Sequence, residues 1–417
     1  MENINLARKL EERLPSDALD FIKRAAKLAG ERGKKLYLAG GLVRDLLMDK
    51  PGLDIDLVLE GDATLLASEM AQGKDVKVTL HKPFLTANLR WREFSIDLTT
   101  ARRESYAHPG ALPAVQPGSL KDDLLRRDFS VNAMAVSLSP ADYGQLIDLY
   151  GGLADINHRL IRILHEKSFI DDATRIWRAI RYEQRLDFNI EAGTLALLHR
   201  GLPMLKTISG DRIWYEMECV FGEELPEKFF ARAGELGVLT YLHPELRVDG
   251  WLTAWFDQAR RLSLPGKPPL GLYLALLAYN LNSTTLKQLI NYLKLSKVLS
   301  QTLRDSRGVK AHLEALSEEV LQPSAIHCML QGHSEQAITA NLIASNSVET
   351  RRNIQLYLDK LRYVKTALDG NDLIALGIPQ GPLIKAALDM LLDARLDGEV
   401  ESREDEERWV RQFKLSS

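Results

Sequence analysis

The most constraining feature of this sequence is the stretch from residue 36 to residue 60, which reads LYLAGGLVRDLLMDKPGLDIDLVLE. A short apolar run predicts a strand, Gly40 and Gly41 open a segment with helical spacing, and a second strand pattern carries Asp54 and Asp56. Strand side chains two apart share a face, so this pattern places two carboxylates together. Glycines admit close approach of backbone to phosphate, and a helix N-terminus favours negative charge. We therefore predict a site for divalent metal and polyphosphate, as phosphoryl and nucleotidyl transfer require.

An Asp-x-Asp pair is also common in surface turns, and that is the alternative interpretation of Asp54 and Asp56. The apolar neighbours Ile55 and Leu57 favour a strand over a turn. Two adjacent carboxylates on a half-buried strand repel each other unless a cation joins them. The pattern therefore indicates metal ligation.

Composition limits the class of protein. A chain of 417 residues with 45% hydrophobic and 27% charged residues predicts a globular protein of several domains. The sequence has no apolar run of the roughly 18 residues that a membrane span needs, so we expect no membrane association. Cys219 and Cys328 are the only cysteines, which favours buried free thiols in a reducing cytoplasm over a disulfide.

The chain changes character near residue 165. Before it, short strand patterns alternate with helices, and beyond it apolar residues recur almost continuously at helical spacing. We predict an α+β head followed by helical domains. The predicted strands are Leu36–Ala39, Asp54–Leu59, Val76–Leu80, Thr86–Leu89, Glu93–Thr99 and Leu146–Leu149, with a loop from Ser105 to Lys121. The predicted divisions are a helical lead-in at 1–34, a head at 35–160, a neck at 161–240, a body at 241–340 and a tail at 341–417.

Residues 125–133, LRRDFSVNA, form a second group of polar side chains. Arg126 and Arg127 can clamp a triphosphate, since guanidinium groups match phosphate oxygens. Asp128 and Asn132 are four apart, so a helix would bring them together, with Asn132 able to meet a ribose hydroxyl. A surface helix with an Arg–Asp ion pair is the alternative interpretation.

A third group lies in residues 169–181, FIDDATRIWRAIR. Asp172 and Arg175 are three apart and are predicted to be neighbours on a helix face, where an acceptor beside a donor can match the edge of a base. Arg178 and Arg181 continue this row and can reach phosphates. Ion pairs on an exposed helix are the alternative.

Asp97 lies in the alternating segment FSIDL at 94–98, on the face opposite the apolar residues. A third carboxylate there could take the proton of an attacking hydroxyl or complete the metal site. A solvent-facing acid on a strand is the alternative interpretation.

In this order, the three groups resemble the class II tRNA nucleotidyltransferases, a family of CCA-adding, CC-adding and A-adding enzymes and bacterial poly(A) polymerases. The resemblance covers roughly residues 35–220. It rests on GGLVRD at 40–45, DID at 54–56, RRDFSVNA at 126–133, IDLYGGLAD at 147–155, DDATRIWRAIRYEQRLDF at 171–188 and SGDRIWYE at 209–216. The resemblance implies a polymerase-β-like sheet in the head and helices in the neck, body and tail.

The resemblance also implies roles for single residues. Asp54 and Asp56 would hold catalytic Mg²⁺, and Asp172 with Arg175 would pair with the base of CTP or ATP. Phosphate contacts would come from Gly41, Arg44 and Arg127. The other motif positions expected at the nucleotide are Gly40, Asp45, Asp128, Asn132, Arg178 and Arg181.

Two acids are one methylene shorter than the family's usual glutamates, namely Asp171 and Asp211, which bears on how Arg175 is held. The stretch from Ala101 to Val115 is most similar to the A-adding or CC-adding branch. We expect a cytoplasmic Mg²⁺-dependent enzyme that adds C, A or both to the 3′ end of tRNA from CTP or ATP. A poly(A) polymerase and a non-catalytic RNA-binding protein on the same scaffold remain alternatives, and the oligomeric state stays open.

Overall fold

The structure is a computed structural model that describes residues 4–72, 76–92 and 94–416. The chain divides into two compact units, Met1–Leu242 and His243–Ser417. Helices and strands are numbered in chain order. The strands, all in the first unit, are β1 (Leu36–Ala39), β2 (Ile55–Leu59), β3 (Val76–His81), β4 (Thr86–Trp91), β5 (Phe94–Thr100), β6 (Arg102–Ser105), β7 (Ala114–Pro117), β8 (Met134–Ser137), β9 (Leu146–Asp148), β10 (Leu160–Ile161) and β11 (Asn189–Ile190).

The first unit also holds twelve of the α-helices that the structure describes. They are α1 (Ala7–Arg13), α2 (Ser16–Glu31), α3 (Gly41–Leu47), α4 (Ala63–Ala71), α5 (Leu120–Leu125), α6 (Gly152–Asn157), α7 (Ser168–Asp171), α8 (Thr174–Leu186), α9 (Ala192–Gly201), α10 (Gly210–Phe221), α11 (Pro226–Glu235) and α12 (Val238–Leu242). Short 3₁₀ turns lie at Lys82–Phe84, Ser130–Asn132 and Leu202–Thr207.

A seven-stranded mixed sheet of order β3-β4-β5-β2-β1-β8-β9 forms the centre of the head. β2 and β5 are parallel, and the other neighbouring strands are antiparallel. Because successive side chains of a strand point to opposite faces, the two faces of the sheet differ in polarity and in how they are covered. Leu38, Leu57 and Leu98 project to one face, where they join a core with side chains of α1, α2 and α4. Burial of each such leucine stabilises the fold by about 2 kcal/mol.

The opposite face of the sheet is only partly covered. Tyr37 and Val58 pack there against Leu120 and Leu124 of α5. Towards the middle of the sheet the same face carries Asp56 on β2 and its neighbours on β5, so polar side chains stand where the apolar cover ends.

The predicted α+β class is confirmed, and each predicted strand corresponds to an observed one, with Glu93 outside the described residues. Asp54 lies just before β2 rather than within it. The predicted loop from Ser105 to Lys121 is wrong in part, because β7 pairs with β6 as a hairpin and α5 begins at Leu120. The prolines and glycines of this segment mark the turn between the strands, not a structureless stretch.

The strand β8, which lies between β1 and the edge strand β9, was not predicted. All four of its residues are buried, so it lacks the alternation that marks a half-exposed strand. β8 pairs with β1, so the RRDFSVNA segment that precedes β8 lies next to Gly40. The backbone N–H of Gly40 donates to the Met134 carbonyl at 3.2 Å.

The remainder of the first unit is helical. α8 packs against α10 and α11, and Trp177 of α8 is fully buried against Phe229 with ring centroids 5.2 Å apart. This packing holds the helix that carries the third sequence group.

The second unit consists of helices in the part that the structure describes. They are α13 (Trp251–Leu262), α14 (Leu270–Leu277), α15 (Ser283–Tyr292), α16 (Lys297–Ala311), α17 (Pro323–Leu330), α18 (Glu335–Ala344), α19 (Val348–Asp359), α20 (Gly370–Ala375), α21 (Pro382–Leu396) and α22 (Arg403–Ser416), with 3₁₀ turns at Ala315–Ser317 and Leu361–Tyr363. Two apolar clusters hold it together, one around Leu316 and Ile354 and one around Leu373 and Leu391. None of the helices in the described ranges is both long and apolar enough to cross a bilayer.

Candidate functional site

A cavity of about 1210 Å³ opens in the first unit at the polar end of the sheet. It is lined by the start of α3, by β2 and β5, by the segment before β8 and by α8 and α10. Every site residue selected from the sequence lines this cavity. These residues are Gly40, Gly41, Arg44, Asp45, Asp54, Asp56, Asp97, Arg127, Asp128, Asn132, Asp172, Arg175, Arg178 and Arg181.

Three carboxylates line the sheet end of the cavity. Asp56 and Asp97 are register partners on the parallel strands β2 and β5, so their side chains lie side by side on the open face. Asp54 is exposed just ahead of β2. Burial raises the pKa of Asp56 to about 6 against the attraction of Arg127, and repulsion from Asp54 and Asp97 adds to the rise. The site therefore concentrates negative charge that Arg127 alone does not offset.

Gly40 separates these carboxylates from the cationic side of the cavity. Its φ of +84° lies in the region that favours glycine. A Cβ at this position would lie 2.6 Å from Arg127 Nη1 and 3.1 Å from Asp56 Oδ2. Any larger residue would force Arg127 and Asp56 away from this point, so the glycine keeps a clear space between a carboxylate and a guanidinium.

The guanidinium of Arg127 is held in place by a buried acid. Asp123 of α5 is fully buried and accepts from Arg127 Nη2 at 3.2 Å and from Arg126 Nε at 2.9 Å. Attraction to these two arginines outweighs the cost of burial and lowers the pKa of Asp123. The two guanidiniums are therefore positioned before any ligand binds.

A chain of hydrogen bonds joins α3 to α8 through the RRDFSVNA segment. Arg44 Nη1 donates to Asn132 Oδ1 at 2.5 Å, and Asn132 Nδ2 donates to Asp128 Oδ1 at 3.0 Å. Arg178 Nη2 and Nε then donate to Asp128 Oδ2 at 2.6 and 2.9 Å. Arg44 also pairs with Asp45 at 2.7 Å.

The predicted contact of Asp128 with Asn132 is present, but the predicted helix is not. Asp128 lies in a bend before β-bridge residue Phe129, and Asn132 ends a short 3₁₀ turn. The Asp128 carboxylate also accepts from the Phe129 N–H at 2.8 Å. A side chain that bonds its own backbone in this way favours a turn over a helix, which explains the difference.

Asp128 is buried, with 7% of its surface exposed. Burial would raise its pKa, but attraction to Arg178 and hydrogen bonds from Asn132 and Arg178 outweigh that effect and lower the pKa to about 2. The folded-state pKa is thus below the unfolded value of about 3.9, so the ionised carboxylate stabilises the fold above pH 4 and this stabilisation is lost as the pH falls towards 2.

The Asp128→Asn variant is therefore expected to lose about 2 kcal/mol of unfolding free energy at pH 7. Below pH 4 the difference from the unmodified protein should shrink, because Asp128 then becomes protonated as well. Denaturant unfolding at several pH values measures this. Asp187→Asn is a suitable control, since Asp187 is 94% exposed and its Arg159 partner lies 3.5 Å away. A constant difference from pH 7 to pH 2 would contradict the assignment.

The third sequence group differs from its prediction. Asp172 lies ahead of α8 in extended conformation, so it does not share a helix face with Arg175. Its carboxylate accepts from Arg212 Nη2 at 2.8 and 2.9 Å, and from the Thr174 N–H at 3.1 Å. Arg175 instead donates to Ser168 Oγ at 2.7 Å and to the Arg126 carbonyl at 2.6 Å.

Arg178 and Arg181 do project from one side of α8. Both guanidinium groups lie near the ring of Tyr182. The ring centroid is 5.7 Å from the guanidinium carbon of Arg178 and 5.2 Å from that of Arg181. Glu216 of α10 is buried and lies 3.7 Å from Arg178 and 3.3 Å from Arg181. The two cations are therefore positioned by a ring and a carboxylate that also line the cavity.

Sequence reasoning did not single out Arg212, Glu216 and Tyr182. Arg212 and Glu216 both lie in the SGDRIWYE segment that contributed to the resemblance, and their spacing of four places them on one face of α10. That spacing is the signal that would have identified them. Their partners on α8 and before it are 35 to 40 residues away in sequence.

Comparison with known proteins agrees with this arrangement. Residues 36–162 match the family described as poly A polymerase head domain. Residues 187–249 match the family described as probable RNA and SrmB-binding site of polymerase A. The two matches cover the sheet with its carboxylates and the helices that follow α8.

Whole-chain relatives point to the same family. An A-adding tRNA nucleotidyltransferase of Halalkalibacterium halodurans is 32% identical over 98% of this chain and 96% of its own length. One of Geobacter sulfurreducens is 34% identical over 98% of this chain, which spans about half (49%) of that relative. A solved structure of a CCA-adding enzyme in apo form II is 31% identical, with a TM-score of 0.84 over 100% of both chains. The chain therefore belongs to the tRNA nucleotidyltransferase family.

Proposed function

We propose that this protein transfers a nucleotide from a nucleoside triphosphate to the 3′ end of tRNA and releases pyrophosphate. The observation that carries the proposal is one cavity in which Asp56, with Asp97 beside it, faces Arg127 across Gly40. Carboxylates on one side suit the reacting hydroxyl and metal, and fixed guanidiniums on the other suit a triphosphate. We expect the reaction to take place in the cytoplasm, where a tRNA substrate is met.

The residues fit a magnesium ion. Asp54 and Asp56 offer hard oxygen ligands, and the clear space that a Cβ at Gly40 would fill lies against Asp56. Within residues 4–72, 76–92 and 94–416 no group of three or more His, Cys, Asp or Glu side chains is arranged to hold a metal. Mg²⁺ typically takes one or two carboxylates, with waters and substrate phosphates as the remaining ligands. When bound, it would neutralise charge on the phosphates and acidify the attacking hydroxyl.

The cationic residues bind and orient the triphosphate. Arg127 lies directly across Gly40 from Asp56. Arg44 lies in the middle of α3, and its guanidinium reaches back to Gly41 at the start of the helix. Because Asp123 and Asp45 already hold these guanidiniums, little side-chain freedom is lost when phosphate binds. Preorganised charge of this kind favours the transition state over the free reactants.

Asp172 and Arg175 would read the base. An ionised carboxylate only accepts hydrogen bonds. Placed at the 6-position of a purine or the 4-position of a pyrimidine, Asp172 would therefore accept from the amino group of adenine or cytosine and repel the carbonyl of guanine or uracil. Arg212 and Thr174 hold this carboxylate in place, and Oδ2, which accepts from Arg212 alone within the described residues, keeps a lone pair for a base. Arg178 and Arg181 lie on the same side of α8 and would support the nucleotide.

Among the A-adding, CC-adding and CCA-adding activities, we propose addition of A alone. The relatives of Geobacter sulfurreducens, Halalkalibacterium halodurans and Aquifex aeolicus, at 32–34% identity, are all A-adding tRNA nucleotidyltransferases. A CC-adding relative of Deinococcus radiodurans and a CCA-adding enzyme of Geobacillus thermodenitrificans are 30% and 28% identical.

Two alternatives make different predictions. A poly(A) polymerase would extend any RNA end repeatedly, whereas the enzyme proposed here stops after completing the tRNA end. A non-catalytic RNA-binding protein would need neither the paired carboxylates nor the preset arginines, and their joint presence in one cavity argues against it.

The test uses three tRNA transcripts, which end before CC, after C and after CC. Each is incubated with one labelled nucleotide and Mg²⁺, and the product ends are sequenced. Addition of one A to the transcript ending in CC, with no other extension, is the expected result. Long A tails would support the poly(A) alternative, and no incorporation into any end would refute the proposal.

We propose that Asp97 receives the proton of the attacking hydroxyl. Asp97→Asn is expected to lower kcat by about 10²-fold, which is typical for loss of a general base, while the Mg²⁺ concentration for half-maximal rate stays unchanged. Titration of Mg²⁺ at saturating substrates measures both. A raised Mg²⁺ requirement would instead assign Asp97 to the metal, and Asp97→Glu should recover part of the rate in the first case.

A further inference from the structure

The open face of the sheet continues beyond the carboxylates onto two more strands. Asp97 on β5 is paired in register with Asn88 on β4, and Asn88 with Thr79 on β3. Asn88 Nδ2 donates to Asp97 Oδ1 at 2.7 Å, which confirms that these side chains share a face. Strand spacing places Thr79 about 10 Å from Asp97.

The flanking rows on this face are polar as well. The row on one side pairs Thr99 with Thr86 and His81, and the row on the other side pairs Ser95 with Arg90 and Lys77. The opposite side chains of the same strands, among them Ala87 and Leu89, belong to the core that α4 covers. The outer side chains of β3, β4 and β5 therefore form a polar surface that is continuous with the cavity, and we call it the outer sheet face.

The chemistry decides which substrate lies there. In an in-line displacement at phosphorus the attacking oxygen and the leaving pyrophosphate stand on opposite sides of the phosphorus atom. The groups suited to the pyrophosphate, Gly40 and Arg127, lie on the β1 side of Asp56. The attacking hydroxyl must therefore approach from the other side, which is the side of β5, β4 and β3.

Charge on the outer sheet face agrees with a nucleic-acid occupant. Arg90 and Lys77 are exposed cations, and within the described residues the side chain of Arg90 forms no hydrogen bond or ion pair. Asp97, at the catalytic edge, is the only carboxylate among the described outward-facing residues of these three strands. Thr79, His81 and Arg90 also line the cavity itself.

We propose that the outer sheet face binds the last nucleotides of the acceptor RNA strand and directs their 3′-hydroxyl to Asp97. Arg90 contacts a phosphate of this strand, and Thr79 with His81 contacts its sugars and phosphates. This inference rests on the proposed function, since it assigns the second substrate of the same reaction to a surface.

The variant Arg90→Gln combined with His81→Leu tests this assignment. We expect the KM for tRNA to rise about tenfold, while the KM for the nucleotide and kcat at saturating tRNA stay within twofold. Loss of one phosphate contact should also reduce the slope of log affinity against log salt by roughly 0.7. Lys27→Gln is the matched control, because Lys27 is an exposed cation on α2, which packs on the other face of the sheet.

The outcomes separate the two proposals. If the unmodified protein extends no tRNA end, the proposed function fails. If it extends tRNA and the double variant keeps an unchanged KM for tRNA and an unchanged salt slope, this inference fails alone. A photoreactive base at the 3′ end of the RNA provides a second measurement on the unmodified protein. Cross-links within residues 76–92 or 94–100 support the proposal, and cross-links confined to other segments overturn it.

Discussion

Replacement of Asp56 by asparagine is expected to lower kcat for nucleotide incorporation by about 10³-fold or more. The amide keeps the shape of the carboxylate next to Gly40 but removes the charge that would hold Mg²⁺ beside the triphosphate. A loss of about 4 kcal/mol in transition-state stabilisation corresponds to that factor. The measurement is single-turnover incorporation at saturating Mg²⁺, nucleotide and tRNA.

Binding of tRNA should be almost unaffected by this change, and the fold should not be destabilised. Equilibrium binding of tRNA should match that of the unmodified protein. The melting temperature at pH 7 should be equal or higher, because burial and repulsion from Asp54 and Asp97 disfavour the ionised carboxylate that the amide replaces. Asp20→Asn serves as the control, since Asp20 is an exposed acid on α2. Full turnover in the Asp56→Asn variant would contradict the assignment of Asp56 as a metal ligand.

The second large effect concerns the choice of base. Asp172→Asn is expected to reduce the preference for ATP over GTP by about 10- to 100-fold. Recognition of a base edge by a well-placed hydrogen-bonding group contributes about 1–3 kcal/mol to discrimination, and the amide can donate to a carbonyl where the carboxylate could not. The kcat/KM values for the four nucleotides measure this preference.

Arg212→Met should act in the same direction with a smaller effect, because it frees Asp172 to rotate without removing the acceptor. Asp187→Asn is the control, since Asp187 follows the end of α8, is 94% exposed and does not line the cavity. An equal fall in kcat/KM for all four nucleotides would show a structural role for Asp172 and would contradict base reading.

Local patterns in the sequence predicted much of the site. The strand–glycine–helix stretch and the Asp-x-Asp pair needed only alternation and the special backbone of Gly40, and both are short-range properties. The pairing of Asp128 with Asn132 was also predicted, although a turn rather than a helix produces it. Residues that the motifs placed in one site do line one cavity.

Contacts between residues far apart in the chain could not be predicted from local sequence patterns. The ion pair of Asp172 with Arg212 joins residues 40 apart, and the bond from Arg175 to the Arg126 carbonyl joins residues 49 apart. The spacing of Asp172 and Arg175 predicted a pair on one helix face. The Thr174 hydroxyl instead donates to the Asp172 carboxylate, and α8 begins only at Thr174, so Asp172 lies outside the helix. The buried strand β8 escaped prediction because it has no polar face.

The bonds that run from Arg44 through Asn132 and Asp128 to Arg178 have a consequence for mutational studies. Arg44 of α3 and Arg178 of α8, both assigned to the bound nucleotide, are joined by one continuous series of donors and acceptors. The effect of a substitution at one end should therefore reach the other end, and paired substitutions along this series should deviate from the sum of the single ones. The contributions of α3 and α8 to nucleotide affinity are then coupled, and neither can be tuned without changing the other.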